Sequence, residues 1–175
     1  MQDNFITVNQ ETLNLIGFRL DPERETPQVY TLFICNDENQ PIVVDEQIVF
    51  FSNPELASKA LELYGANVGQ YNSIPKDVDL VCDLATMLYL ITSEDTDPSA
   101  IIVNCLNTFD DLVKATELQV PNEYKKVLNA FADHLTFDQE FANFLTQQNI
   151  SRSVIIDGVL WCVGAILVKA RILMD

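Results

Sequence analysis

The hydrophobic period changes at Ser52. That change limits the chain to folds in which strands are laid down first and helices follow. Before it, Leu13, Leu15, Ile16, Phe18 and Leu20 read as a strand, with a phase slip at Ile16-Gly17 that predicts a bulge. Val29 to Cys35 is β-branched and aromatic, as strands prefer. Ile42-Val43-Val44 and Ile48 to Phe51 supply a further run, interrupted by Asp45-Glu46-Gln47, and the loop Asn36 to Pro41 serves as a hairpin connection. Phe5 to Val8 can add a short edge strand. The simplest arrangement of these runs is a small antiparallel meander.

Helix signals follow at once. Asn53 is a natural N-cap, Pro54 suits a first helical position, and Ser52 and Glu55 match a capping box. Leu56, Ala60, Leu63 and Tyr64 share one side, and Gly65 is a natural left-handed stop. Beyond residues 66–76, a loop with Gly69 and Pro75, everything reads as helix. Asp77 to Ile91 is apolar on nearly every face, which predicts a central buried helix. Asp97-Pro98 opens the next helix, with Ile101, Ile102, Cys105, Phe109, Leu112 and Val113 inward. Pro121 opens a third, Thr136 and Gln139 make a capping box for a fourth, and Ser151 or Ser153 caps a last helix from Val154 to Leu173. The expected fold is therefore α+β: a small antiparallel β-meander with one helix over 1–65, a boundary at 66–76, and a bundle of about five α-helices over 77–175. The two parts can equally share one continuous core.

Charge narrows the function. The chain has 26 acids against 10 bases, a formal net charge of -16 and 48% hydrophobic residues, so it is a folded and strongly acidic protein. Residues 1–75 hold 11 acids and 3 bases and residues 76–175 hold 15 and 7, so neither half is basic. Phosphate-backbone binding rests on Lys and Arg displacing counterions, which argues against a nucleic-acid partner. No Gly-x-Gly-x-x-Gly or Walker-type loop exists among the five glycines, so no nucleotide cofactor is expected.

The N-terminus has neither a basic nor an apolar signal region, and Cys35, Cys82, Cys105 and Cys162 form no Cys-x-x-Cys pair. Free thiols and a cytoplasmic location are the reading. Val154 to Met174 is apolar enough to invite a membrane assignment, but its unbroken run, Gly158 to Val168, falls short of the roughly 18 residues a span needs.

Four groups are weighed for chemistry. Asp79, Asp83 and Thr86 stand at i, i+4 and i+7 of the expected helix 77–91, where a polar stripe could hold a cation but is by default a solvated face. Asp157 opens a helix that looks buried all round, so it is either a site carboxylate or a first-turn acid favoured by the helix dipole. His134 is the only histidine and lies near a helix C-terminus, with no nucleophile motif to serve. Gly158, Cys162 and Ala165, flanked by Trp161 and Val168, form a small-residue groove for close packing, inside the chain or against a second copy. No residue is assigned as catalytic, cofactor-binding or metal-ligating.

The resulting expectation is a non-enzymatic protein-binding module of the inhibitor, immunity or adaptor kind, partnered by a protein with a basic surface. The alternative is a carboxylate-based metal-binding protein or enzyme using Asp79, Asp83 or Asp157 in a bundle pocket. A third possibility is peripheral membrane attachment through the last helix.

Overall fold

A computed structural model of the chain describes residues 11–66, 71, 73–93, 99–137 and 140–175. The fold is α+β. Seven strands, β1 (Thr12–Arg19), β2 (Val29–Cys35), β3 (Asn39–Pro41), β4 (Val43–Val44), β5 (Gln47–Phe51), β6 (Leu80–Asp83) and β7 (Ala170–Leu173), make one sheet. The described helices are α1 (Ala57–Tyr64), α2 (Leu84–Thr92), α3 (Ser99–Thr116), α4 (Asn122–Phe137), α5 (Phe141–Gln148) and α6 (Arg152–Val168).

The first five strands pair antiparallel, as the alternating pattern implies. The sheet is nevertheless mixed, because β6 adds parallel to β1 at one edge and β7 adds parallel to β5 at the other. Asp45 and Glu46 join β4 to β5 with φ of 52° and 63°, the two positive values that a twist-matched hairpin turn requires. Part of the expected loop 36–41 is itself strand, since β3 pairs with the end of β2.

No bulge interrupts β1. Its pairing with β2 runs unbroken from Thr12↔Cys35 to Phe18↔Val29. The apparent slip at Ile16-Gly17 arises because both faces of the strand are buried. Leu13 and Leu15 enter one hydrophobic cluster while Ile16 and Phe18 enter the other. Gly17 takes the next position on the Leu13–Leu15 side, where a Cβ would lie 2.7 Å from Pro27 Cγ and 2.9 Å from its Cβ.

The sheet therefore has two closed faces. One is covered by α1, which brings Ala57, Ala60 and Leu61 against Leu15, Leu32, Ile42 and Phe51. Asn53 caps the preceding 3-10 turn (Pro54–Leu56) by accepting from the Glu55 N–H at 3.0 Å, and Gly65 ends α1 at φ 77°. The other face, bearing Phe18, Phe33 and Phe50, is covered by residues of α2 to α6. This second cluster draws on both sides of residues 66–76. Its aromatic centre is Phe131, with ring centroids of Phe141 and Phe144 at 4.9 and 5.1 Å.

Four helix expectations need correction. Residues 77–91 are not one helix: Leu80–Asp83 is an edge strand, and α2 starts only at Leu84. Apolar runs this short carry no period that separates strand from helix. Nor is α2 central, since Tyr89 on it is 67% exposed. The central helix is α3, which packs on α2, α4, α6 and strands β3, β5 and β6. The last helix stops at Val168 and residues 170–173 turn into β7. Thr136 does not cap α5: it sits inside α4, its hydroxyl donating to the Ala132 carbonyl, and Glu140 occupies the N-cap position. The expected strand at Phe5–Val8, the start at Asp97-Pro98 and Gln139 lie outside the described residues.

No single described helix is long and apolar enough to cross a membrane. The pair α5 and α6 would together reach that length but bends by 102°, and Phe141, Phe144, Ile155 and Val159 on it are buried in the core.

Candidate functional site

The four groups weighed in the sequence do not converge. Asp79 precedes β6 and engages the backbone of β1: its carboxylate accepts from the Leu15 N–H at 2.7 Å, and its own N–H donates to the Leu15 carbonyl at 2.8 Å. Asp83 is the N-cap of α2, accepting from the Thr86 N–H at 2.9 Å and hydroxyl at 2.8 Å. The Arg19 guanidinium, positioned by β1 one strand away, meets the same carboxylate at 2.7 Å and donates to the Thr86 hydroxyl at 3.0 Å. Partial burial works against the charge on Asp83, but the bonds from Thr86 and Arg19 outweigh it and hold the carboxyl below its ordinary range. The supposed stripe of Asp79, Asp83 and Thr86 is thus a strand clamp followed by a helix cap.

Asp157 lies beyond the first turn of α6 and is exposed. The helix is buried on one side only. Gly158, Cys162 and Ala165 are on that side, and a Cβ on Gly158 would meet Leu128 of α4 at 3.3 Å. The small-residue groove is therefore filled from within the chain. His134 donates from Nε2 to the Glu140 carbonyl at 2.8 Å, tying the end of α4 to the start of α5, and its ring packs 5.3 Å from that of Phe144. Among the described residues no three His, Cys, Asp or Glu side chains gather as a metal site.

Two hollows flank α3, on the many-helix side of the sheet. The larger, about 630 Å³, is a groove between α3 and α4 with Cys162 of α6 among its lining residues. Leu106, Phe109, Val113 and Leu128 give it apolar walls, while Asp110, Lys114, Lys125 and Asp133 contribute charge. Lys114 and Asp110 are paired at 2.6 Å along one helix face. Burial, with the charge of Asp110, pushes the Cys162 thiol up to about 11, so it stays protonated and is a poor nucleophile near neutral pH.

The smaller hollow, about 240 Å³, opens between α3 and the sheet. Asn14, Asn39, Asn104 and Asn107 line it with Cys35, Asp79 and Asp111. Burial raises Asp111, and the charges of Asp110 and Glu38 raise it further, against the opposing pull of Lys114 and a bond from Asn39. Burial, then Asp79 and Asp111, likewise raise Cys35. Asn107 borders both hollows, so α3 presents one continuous polar ridge between them.

None of these α3 residues stood out from spacing alone. The signal was present as Asn104, Asn107 and Asp111 at i, i+3 and i+7, a polar face on a helix otherwise read for its apolar one. What the ridge and its hollows can do is accept hydrogen bonds and positive charge beside an apolar groove. They offer no activated nucleophile and no histidine, because the single His134 is engaged elsewhere.

Comparison with protein families, curated proteins and solved structures finds no match to this chain.

Proposed function

We propose that this chain is a non-enzymatic, cytoplasmic binding module of the inhibitor, immunity or adaptor kind, whose partner is a protein with a basic surface. The observation that carries the reading is the acidic rim of α3. Asp110 and Asp111, with Glu38 from the β2–β3 turn near enough to act on Asp111, keep negative charge that Lys114 does not neutralise. Like charges held around the half-buried Asp111 repel, and a cationic side chain from a partner would relieve that repulsion while its apolar stem enters the adjoining groove. A net charge of -16 steers basic proteins towards such a site and repels nucleic acid. The four free cysteines fit a reducing compartment. The alternative, a carboxylate enzyme or metal protein using Asp79, Asp83 or Asp157 in a pocket, has less support: Asp79 lines the smaller hollow with Asp111 but is engaged by the β1 backbone, Asp83 is a helix cap paired with Arg19, and Asp157 is on an exposed helix face. Self-association through α6, the other partner the sequence suggests, uses a different surface.

The test immobilises the full chain and challenges it with native lysate at about 0.05 M and 0.5 M salt, which shortens the screening length severalfold. The triple variant Glu38→Gln, Asp110→Asn, Asp111→Asn is run in parallel. A partner retained at low salt, released at high salt and lost with the variant supports the reading. Capture of nothing, or of partners indifferent to salt and to the variant, ends it.

A further inference from the structure

The two hollows beside α3 differ in charge. In the larger, Asp110 and Asp133 are balanced by Lys114 and Lys125. The smaller has Asp79 on the sheet side and Asp111 on α3, and no Lys or Arg lines it. Both carboxylates act electrostatically on Cys35, which lines the same hollow, so two negative charges bear on one small space. The Leu15 N–H engages only Oδ2 of Asp79. Asn14, Asn39, Asn104 and Asn107 add amide oxygens, each an acceptor of hydrogen bonds. The remaining lining includes apolar surface from the buried Ile16 and Phe33 and the half-buried Leu80.

We infer that the smaller hollow is a seat for the guanidinium of an arginine side chain, contributed by the basic partner proposed above. The inference rests on that reading for the identity of the partner and on the hollow alone for the chemistry. A guanidinium carries five N–H donors in a planar fork, enough for the two carboxylates and for amide oxygens besides, and its weakly hydrated faces can lie on Phe33 and Ile16. A lysine ammonium has three donors on a compact, strongly hydrated charge, so it gives up more water and satisfies fewer of these acceptors. A divalent cation of the calcium kind needs about six to eight oxygens converging at about 2.3–2.6 Å. Among the described residues no three His, Cys, Asp or Glu side chains gather in that way. Size agrees with this choice. At about 240 Å³ the hollow is smaller than the roughly 300–1,000 Å³ of pockets that enclose whole small molecules, and it suits one side-chain head group.

The test titrates the isotope-labelled full chain at constant ionic strength with N-acetyl-arginine amide, and separately with N-acetyl-lysine amide and with calcium chloride. The side-chain amide signals of Asn39, Asn104 and Asn107 in nitrogen–proton correlation spectra are the reporters. The arginine probe should shift them saturably, with half-saturation at about 1–10 mM, the weak affinity expected of a single side chain. The lysine probe should bind about threefold more weakly or worse. Asp111→Asn and, separately, Asp79→Asn should each weaken the arginine probe about fivefold or more, because a charge-assisted bond becomes a neutral one. Both variants keep an oxygen in place, so the thermal transition should stay near that of the parent chain. Asp133→Asn in the larger groove should leave binding unchanged. No saturable shift up to about 50 mM, well beyond that range, overturns the inference. So does arginine binding indifferent to both variants, a lysine probe that binds as well, or calcium moving the same signals at lower concentration. In the lysate capture, a partner lost with the triple variant but fully retained by Asp79→Asn overturns the guanidinium seat and leaves the acidic-rim reading standing. Capture of nothing ends that reading, whereas the seat stands or falls on the titration.

Discussion

The two faces of the sheet solve the same burial problem differently. On one, the eight-residue α1 lies close because Ala57 and Ala60 are small, and Leu61 fills the space among Leu15, Leu32 and Phe51. On the other, α2 and α3 pack on the sheet with α4, α5 and α6 layered against these helices and one another, and their rounded surfaces leave the two hollows beside α3. Polar and charged side chains collect where helices diverge, because water reaches them there. The difference teaches that the face with more cover is also the one left with open hollows.

Perturbing each side tests whether the shared sheet makes them one cooperative unit. The largest effect is expected from Phe131→Ala on the many-helix side, which empties the centre of a three-ring cluster and should cost about 3–5 kcal/mol in denaturant unfolding. Leu61→Ala on the α1 side should cost about 2–5 kcal/mol and shift the same single transition. Two transitions, with Leu61→Ala moving only one, would split the faces into separate units. Gly17→Ala should cost about 1–3 kcal/mol, because the added methyl meets Pro27 at under 3 Å and the strand cannot move without disturbing both faces.

Two acids sharpen the contrast by their opposite response to pH. Asp83 has a folded-state pKa below its unfolded one, so its stabilisation is complete above the unfolded value and disappears as pH falls through the folded value. Asp83→Asn keeps a capping side chain but loses the charge facing Arg19. Stability at pH 7 should fall by about 1 kcal/mol, and part of the acid limb of a stability–pH curve should flatten. Asp111 has the reverse shift. Its protonated form favours folding, and that advantage is lost as pH rises through the folded pKa. Asp111→Asn should therefore stabilise the chain slightly at pH 7, and thermal melts across pH 3–7 would show the gain only towards the upper end. A loss of stability there would mean that its charge is compensated after all.

Local signals were legible where one residue does one job. Asn53 and Gly65 could be read as cap and stop because the backbone groups they satisfy lie within the same short segment. The alternation of β1 was legible too, although the pattern of a strand buried on both sides imitates a bulge. The candidate site was much less so. Asp79 and Asp83 look like one helical stripe when read along the chain, and only the pairing of β6 with β1 separates them. The α3 ridge acquires meaning only when Asn14, Asn39 and Cys35, distant in sequence, are brought opposite it.

By itself the sequence determined the α+β class, the antiparallel pairing within residues 12–51, the cap at Asn53, the stop at Gly65 and the acidic character, because each follows from neighbours along the chain or from composition. Tertiary structure alone decided that Leu80–Asp83 and Ala170–Leu173 become edge strands. Each is a short apolar run adjoining a helix, and its partner strand lies roughly 60 or 120 residues away. Which side of α6 faces the core was settled in the same way. The helix is apolar almost all round, and the choice between burying Gly158 or Gly164 was made by Leu128 of α4, to which no local period could point.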